Sequence, residues 1–233
     1  MNRVPFAPNE WYHCFNRGVD KRKVFMNQAD YERFLMLLYL ANDRTPVHIS
    51  ENRYGTPATL AETMNKTKTS ELVHIGAYCL MPNHFHLLLC EATEGGIASF
   101  MQKVGTGYTM YFNKKESRTG SLFEGRFKSR HVKDDRYMKR VANYIHANPA
   151  EMVEPRWKKG AIKQRKRTED FLSDYPYSSL YDYIQSEIRP QESLLNRGAL
   201  LDCYDDLDIL YVSTLLKDAI DFAQDYEVEI TRG

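Results

Sequence analysis

Nowhere do apolar side chains run on for the about 18 residues that a bilayer-spanning helix requires. A charged leader followed by an apolar core is missing too, so neither membrane insertion nor secretion is expected and the chain reads as cytoplasmic. Cysteine is scarce: the complement of 4 is Cys14, Cys79, Cys90 and Cys203, with no Cys-x-x-Cys spacing. Three of them fall in expected strands, where a free thiol behaves as a small buried hydrophobe, and a reducing compartment fits. Repeats and low-complexity tracts are absent, as is the His-Glu-x-x-His signature of a zinc hydrolase. The 233 residues are enough for a substantial core, read as one domain with an appendage.

Net charge is only +1, but its distribution is uneven. Residues 101 to 167 hold 18 Lys and Arg against 6 Asp and Glu, whereas residues 168 to 233 hold 4 against 15. A basic block beside an acidic tail reads as a polyanion-binding surface with an acidic appendage. Tyr108, Tyr111, Phe112, Phe123, Phe127 and Trp157 interleave with the basic residues. Phosphate contacts combined with base stacking are how single strands are held, although several of these rings must belong to a core.

Along the chain, residues 10 to 17 alternate like a strand that Gly18 ends, and Asn27 can cap a helix over 28 to 42 with Tyr31, Phe34, Leu35 and Leu38 on one face. The polar stretch from 44 to 71 reads as a functional or disordered insertion. Strands are expected at 73 to 81 and 84 to 90, a helix from about 96 to 114, and a fourth strand at 125 to 133. The order β-α-β-β-α-β plus one more helix is a ferredoxin-like α+β pattern, which makes the third strand central and the first its neighbour. His13 would then lie near His84 or His86; a plain structural role is preferred to that of an extra ligand or a partner to one. Beyond 155, the charge run from Lys158 to Arg167 is expected to be exposed, and residues 191 to 202 and 205 to 226 to be helical.

The most informative segment is His84-Phe85-His86 within Tyr78 to Cys90. Two imidazoles separated by one residue share a face of a β-strand while Phe85 points to the other. Such a pair is half of a metal site, and a hard cation such as Mg²⁺ or Mn²⁺ needs a third ligand bearing oxygen. About sixty residues downstream, Asp134 or Asp135 can cap a helix in which Tyr137, Val141, Tyr144 and Ile145 recur at helical spacing. Pro149 is expected to stop it by pushing Asn148 out of the α region. Tyr144 and Asn148 share one helix face, so a phenol and an amide oxygen can stand beside a metal held by the histidines. That is the equipment for a tyrosine attacking a phosphodiester.

Taken together with Trp11 to Gly18, Met81 to Leu89, Tyr108 to Asn113, Gly120 to Lys128 and Tyr144 to Pro149, the sequence closely resembles the single-tyrosine HUH transposases, most of all the REP-associated tyrosine transposases. The likeness covers roughly residues 8 to 155, taken as the catalytic domain, with an echo in Tyr175 to Tyr183; residues 156 to 233 are taken as a basic linker and an acidic, mostly helical extension. The resemblance implies His84 and His86 as metal ligands, Tyr144 as nucleophile and Asn148 as third ligand, a position occupied by glutamine in some relatives. It also implies Mg²⁺ or Mn²⁺ as cofactor and single-stranded or hairpin DNA as substrate, cut and transferred through a 5′-phosphotyrosine by a monomer or homodimer. The alternative is a nucleic-acid-binding regulator that keeps the fold without cleaving.

Overall fold

The computed structural model describes residues 5–44, 58–204 and 211–231. Strands β1 (Trp11–Arg17), β2 (Val73–Met81), β3 (His84–Glu91) and β4 (Lys128–Val132) form an antiparallel sheet in the order β2-β3-β1-β4. Helix α1 (Gln28–Ala41) connects β1 to β2, with the short α2 (Leu60–Met64) following it, and α3 (Gly96–Lys115) connects β3 to β4. This is the expected ferredoxin-like α+β core, with β3 in the interior of the sheet. The expected insertion at 44 to 71 lies largely outside the described residues. Its described end forms α2, which opens on a reciprocal cap between Thr59 and Glu62.

Local chemistry accounts for the element ends. The Asn27 side chain accepts from the Asp30 amide at the start of α1. Gly95, at the start of α3, has no capping side chain, and the buried Glu91 carboxylate at the end of β3 takes the Gly96 and Ile97 amides at 3.2 and 2.7 Å instead. In β2 the register shifts between Ile75 and Ala77. A Cβ at Gly76 would fall 2.9 Å from the Trp11 ring, so glycine lets the bulge and the ring occupy the same place.

The alternation of β3 divides the interior into two cores. Phe85, Leu87 and Leu89 join Phe34, Leu38, Phe100, Val104 and Tyr108 beneath α1 and α3. On the other face, Leu88 meets α4 (Asp135–Ala147) and the helices that follow it. These are α5 (Arg165–Asp174), α6 (Leu180–Ile184), α7 (Arg197–Leu201) and α8 (Val212–Thr231). Val141, Tyr144, Ile145, Trp157, Leu180, Leu216, Phe222 and Tyr226 share this second core. The C-terminal segments also cover the outer edge of β2: the Leu80 amide donates to Tyr177 O, the Ser179 amide to Tyr78 O and the Asn196 amide to Ile75 O. The expected helix at 191 to 202 is divided into a 3₁₀ turn, Pro190–Leu194, and α7. In the one expected at 205 to 226, residues 205–210 lie outside the described residues and α8 accounts for the rest. Tyr108, Phe112, Phe123 and Trp157 are buried, which assigns them to the cores and not to base stacking.

Candidate active site

Helix α4 begins on Asp134, whose carboxylate accepts the Tyr137 amide at 2.7 Å. It ends at Ala147, before Pro149 as expected, but not because Asn148 leaves the α region. Asn148 stays in the right-handed helical region at φ −54°, and the backbone tightens into a 3₁₀ turn, Asn148–Met152, with Pro149 near its start. At that position the missing proline N–H deprives nothing of a partner. The Asn148 side-chain nitrogen Nδ2 donates to Tyr144 O at 2.7 Å and helps hold the turn.

α4 lies across the sheet face to which His84 and His86 point. The Tyr144 and His86 ring centres are 5.8 Å apart, and those of His84 and His86 5.0 Å apart. His13, from β1, completes the group with its ring centre 5.0 Å from that of His86 and 6.1 Å from that of Tyr144. His13, His84, His86, Tyr144 and Asn148 are all buried. Tyr108 and Tyr111 are on the opposite side of the sheet, where their hydroxyls donate to Val24 O and to the Asp30 carboxylate.

Hydrogen bonds set the direction of each ring. His84 Nδ1 is 2.6 Å from Asn83 Oδ1, an oxygen that only accepts, so Nδ1 carries the proton and Nε2 the lone pair. His86 Nδ1 meets His13 Nε2 at 2.8 Å, and His13 Nδ1 meets the Tyr226 hydroxyl at 2.6 Å. With His86 Nδ1 donating to His13, and His13 donating to Tyr226, the lone pair of His86 Nε2 points into the group. The reverse assignment would leave a buried N–H there without an acceptor. His86 Nε2 and Asn148 Oδ1 are both buried without a hydrogen-bond partner. An electron-pair donor left unsatisfied in an interior calls for an explanation.

Burial holds the imidazoles neutral. His13 is lowered to about 3 by desolvation and then by the Lys158 charge, and His84 to about 3 by desolvation, Arg17 and Lys158. His86 lies well below the usual histidine value, through desolvation and then the neighbouring histidines and cations. Neutral imidazoles are the form that ligates metals.

Two parts of the site carried no sequence signal. Lys158, expected in an exposed run, places Nζ 3.2 Å from the Tyr144 hydroxyl. Helix α8 covers the site: Tyr226 lies 5.2 Å from Tyr144 between ring centres and Phe222 6.3 Å. Asp218 of α8 accepts from Asn143 at 2.8 Å and pairs with Arg140 at 3.6 Å, joining α8 to α4. Tyr144 consequently has no solvent exposure.

Residues 9–148 match the sequence model of a family described as Transposase IS200 like. A protein of Haemophilus influenzae that carries the name of a REP-associated tyrosine transposase is 24% identical over 126 residues. Those residues are 50% of this chain and 64% of that protein, so the chain spans less than two thirds of the relative's length. A solved structure described as a REP-associated tyrosine transposase bound to a REP hairpin superimposes with a TM-score of 0.50 at 14% identity, covering 82% of this chain and 88% of the other. At that identity the likeness is one of fold. The family match runs from the approach to β1 as far as Asn148 and takes in well over half the chain, which therefore belongs to the IS200-like transposase family.

Proposed function

We propose that the protein cuts and rejoins single-stranded or hairpin DNA, with Tyr144 as the nucleophile and His84, His86 and Asn148 as ligands of Mg²⁺ or Mn²⁺. The observation that carries this reading is that two buried electron-pair donors have no partner: His86 Nε2, whose ring centre is 5.8 Å from that of Tyr144, and Asn148 Oδ1, whose side-chain nitrogen bonds Tyr144 O one helical turn before it. Two imidazole nitrogens and an amide oxygen suit a divalent cation, which when bound would supply Lewis-acid polarisation of a phosphate oxygen. Asn83 and His13 orient the two imidazoles. The proposed catalytic unit, residues 8–155, draws on the extension at 156–233 for Lys158 and for the cover over the site.

In the cleavage step the Tyr144 oxygen bonds to phosphorus and the P–O3′ bond breaks. The 3′ oxygen leaves with the electron pair and takes a proton from water, and the phenol proton passes to water. The 5′-phosphotyrosine keeps the bond energy of the phosphodiester, so reversal by a second 3′-hydroxyl transfers the strand. The hairpin in the solved relative supports hairpin DNA as the substrate class. Because Tyr144 is enclosed, α8 or the turn after α4 has to shift before a phosphate reaches it. That enclosure favours the second reading, a DNA-binding protein that does not cleave.

Incubation with labelled hairpin DNA and Mn²⁺, followed by a denaturing gel, separates the two readings. Wild type should retain label covalently, and Tyr144→Phe should lose the adduct while DNA affinity stays within about threefold, because phosphate contacts remain. An adduct on the Phe variant, or undiminished activity in EDTA, would overturn the assignment of nucleophile or metal.

A further inference from the structure

We propose that Lys158 is a catalytic residue that holds both the attacking oxygen of Tyr144 and a nonbridging oxygen of the scissile phosphate, which enters through the basic cavity beside it. The inference rests on the reading of Tyr144 as nucleophile.

The position of Lys158 is built by its neighbours. Trp157, fully buried against α4 and α8, anchors the 3₁₀ turn Trp157–Lys159. Gly160 ends the turn at φ +75°, a conformation that a side chain would strain. Between the two, the Lys158 ammonium is directed inward, 5.2 Å above the Tyr144 ring centre and 3.2 Å from its hydroxyl. The Lys158 side chain is 22% exposed, whereas that of Lys166 in the same charge run is 82% exposed. The ammonium is also 4.0 Å from the Glu151 carboxylate.

A cavity of about 520 Å³ opens on the same side; the described residues that wall it include Arg17, Arg156, Lys158 and Lys159, the acidic Glu151, and Ala223 of α8. Arg17 is the β1 residue paired with His84 in β3, so this wall adjoins the histidine pair. These four cations form a phosphate seat, and Lys158 is the member that also reaches the nucleophile.

An ammonium there has work in both directions of the reaction. In cleavage it holds the phenol oxygen in line with phosphorus and offsets the negative charge that grows on the phosphoryl oxygens as Oη–P forms and P–O3′ breaks. In rejoining, O3′–P forms as the 3′-hydroxyl proton passes to water, and Oη–P breaks; the tyrosyl oxygen leaves with the electron pair, which the same hydrogen bond stabilises, and then takes a proton from water. The ammonium keeps its protons throughout.

The test uses the full chain with 3′-labelled hairpin oligonucleotides whose single-stranded flanks are randomised, in Mn²⁺, under single-turnover conditions. Lys158→Met should slow adduct formation, and release of the isolated adduct by a 3′-hydroxyl strand, each by about 100-fold or more. DNA affinity should change by less than about threefold and the melting temperature little. Lys158→Arg should keep a measurable part of both rates, and ethylammonium should partly restore Lys158→Ala, which a purely structural side chain would not allow. If Lys158→Met folds poorly, the Arg variant and the ethylammonium rescue decide. Rates within threefold of wild type in Lys158→Met, or a rate loss matched by an equal loss of affinity, overturn the catalytic role while leaving Tyr144 in place. Absence of an adduct in wild type overturns the proposed function and this inference together.

Discussion

His13 decides which nitrogen of His86 faces the site, through one hydrogen bond of 2.8 Å. Its other nitrogen is held by Tyr226, so the orientation of a β3 side chain depends on a β1 residue and on α8. A residue that orients a metal ligand commonly controls affinity without touching the ion. Accordingly, His13→Ala should weaken Mn²⁺ binding by about 10- to 100-fold in calorimetric titration of the DNA-free protein; unchanged affinity would remove His13 from the site's support. The alternation His-Phe-His and the four-residue step from Tyr144 to Asn148 were legible because each depends on the geometry of one strand or one helix. The helical conformation of Asn148 was not legible: the preference of a residue before proline is statistical, and here the 3₁₀ continuation and the bond to Tyr144 O outweigh it.

Among the elements, α8 bears most on how the sequence is read. Its acidic composition suggested an appendage beside the basic surface, yet its apolar face, including Leu215, Leu216, Ala219 and Phe222, is buried in the core that contains Tyr144. Phe222 stacks on Tyr226 at 4.6 Å and edges Tyr137 at 5.4 Å. Phe222→Ala should cost about 3 kcal/mol in urea unfolding, at the low end for a buried phenylalanine because one neighbour over the ring is the partly exposed Arg140 guanidinium, 4.7 Å from the ring centre. A loss below about 1 kcal/mol would mean that α8 leaves the sheet in solution. Deleting everything after about residue 188 would strip α7 and α8 and expose their apolar partners, so DNA binding by such a truncation has to be measured together with its melting. The existence of the helices was legible from periodicity, but not that the last one roofs the nucleophile, because an amphipathic pattern specifies a buried face without naming what buries it.

For the molecule as a whole, buried histidines make stability depend on pH. His13, His84 and His146 are each lowered to about 3 mainly by burial, and His86 also lies well below its ordinary value. Below about pH 6.5 the unfolded chain binds protons that the folded chain refuses, so stability is complete above that pH and declines as pH falls towards the folded values. One such group costs about 1.4 kcal/mol per pH unit well inside that window. Melting of the protein in chelator should therefore fall clearly between pH 7 and pH 5, and a flat profile would contradict neutral burial of the imidazoles. Salt tests the charge asymmetry: single-strand binding by the 18 cations of residues 101 to 167 should weaken with a log-log slope of about −0.7 for each phosphate neutralised. A slope near zero would place DNA recognition elsewhere.

Local pattern was enough for the order of strands and helices from β1 to α4 in the ferredoxin-like core, the central place of the His-x-His strand and the candidate set His84, His86, Tyr144 and Asn148. Hydrophobic alternation, helical spacing and caps act over a few residues, and the motifs lie within such units. Tertiary packing brings the remainder: His13 orients His86, Lys158 reaches Tyr144 from a turn anchored by Trp157, and α8 closes over them. Those contacts join residues up to 213 positions apart. They depend on how two apolar faces pack, and local pattern carries no record of that.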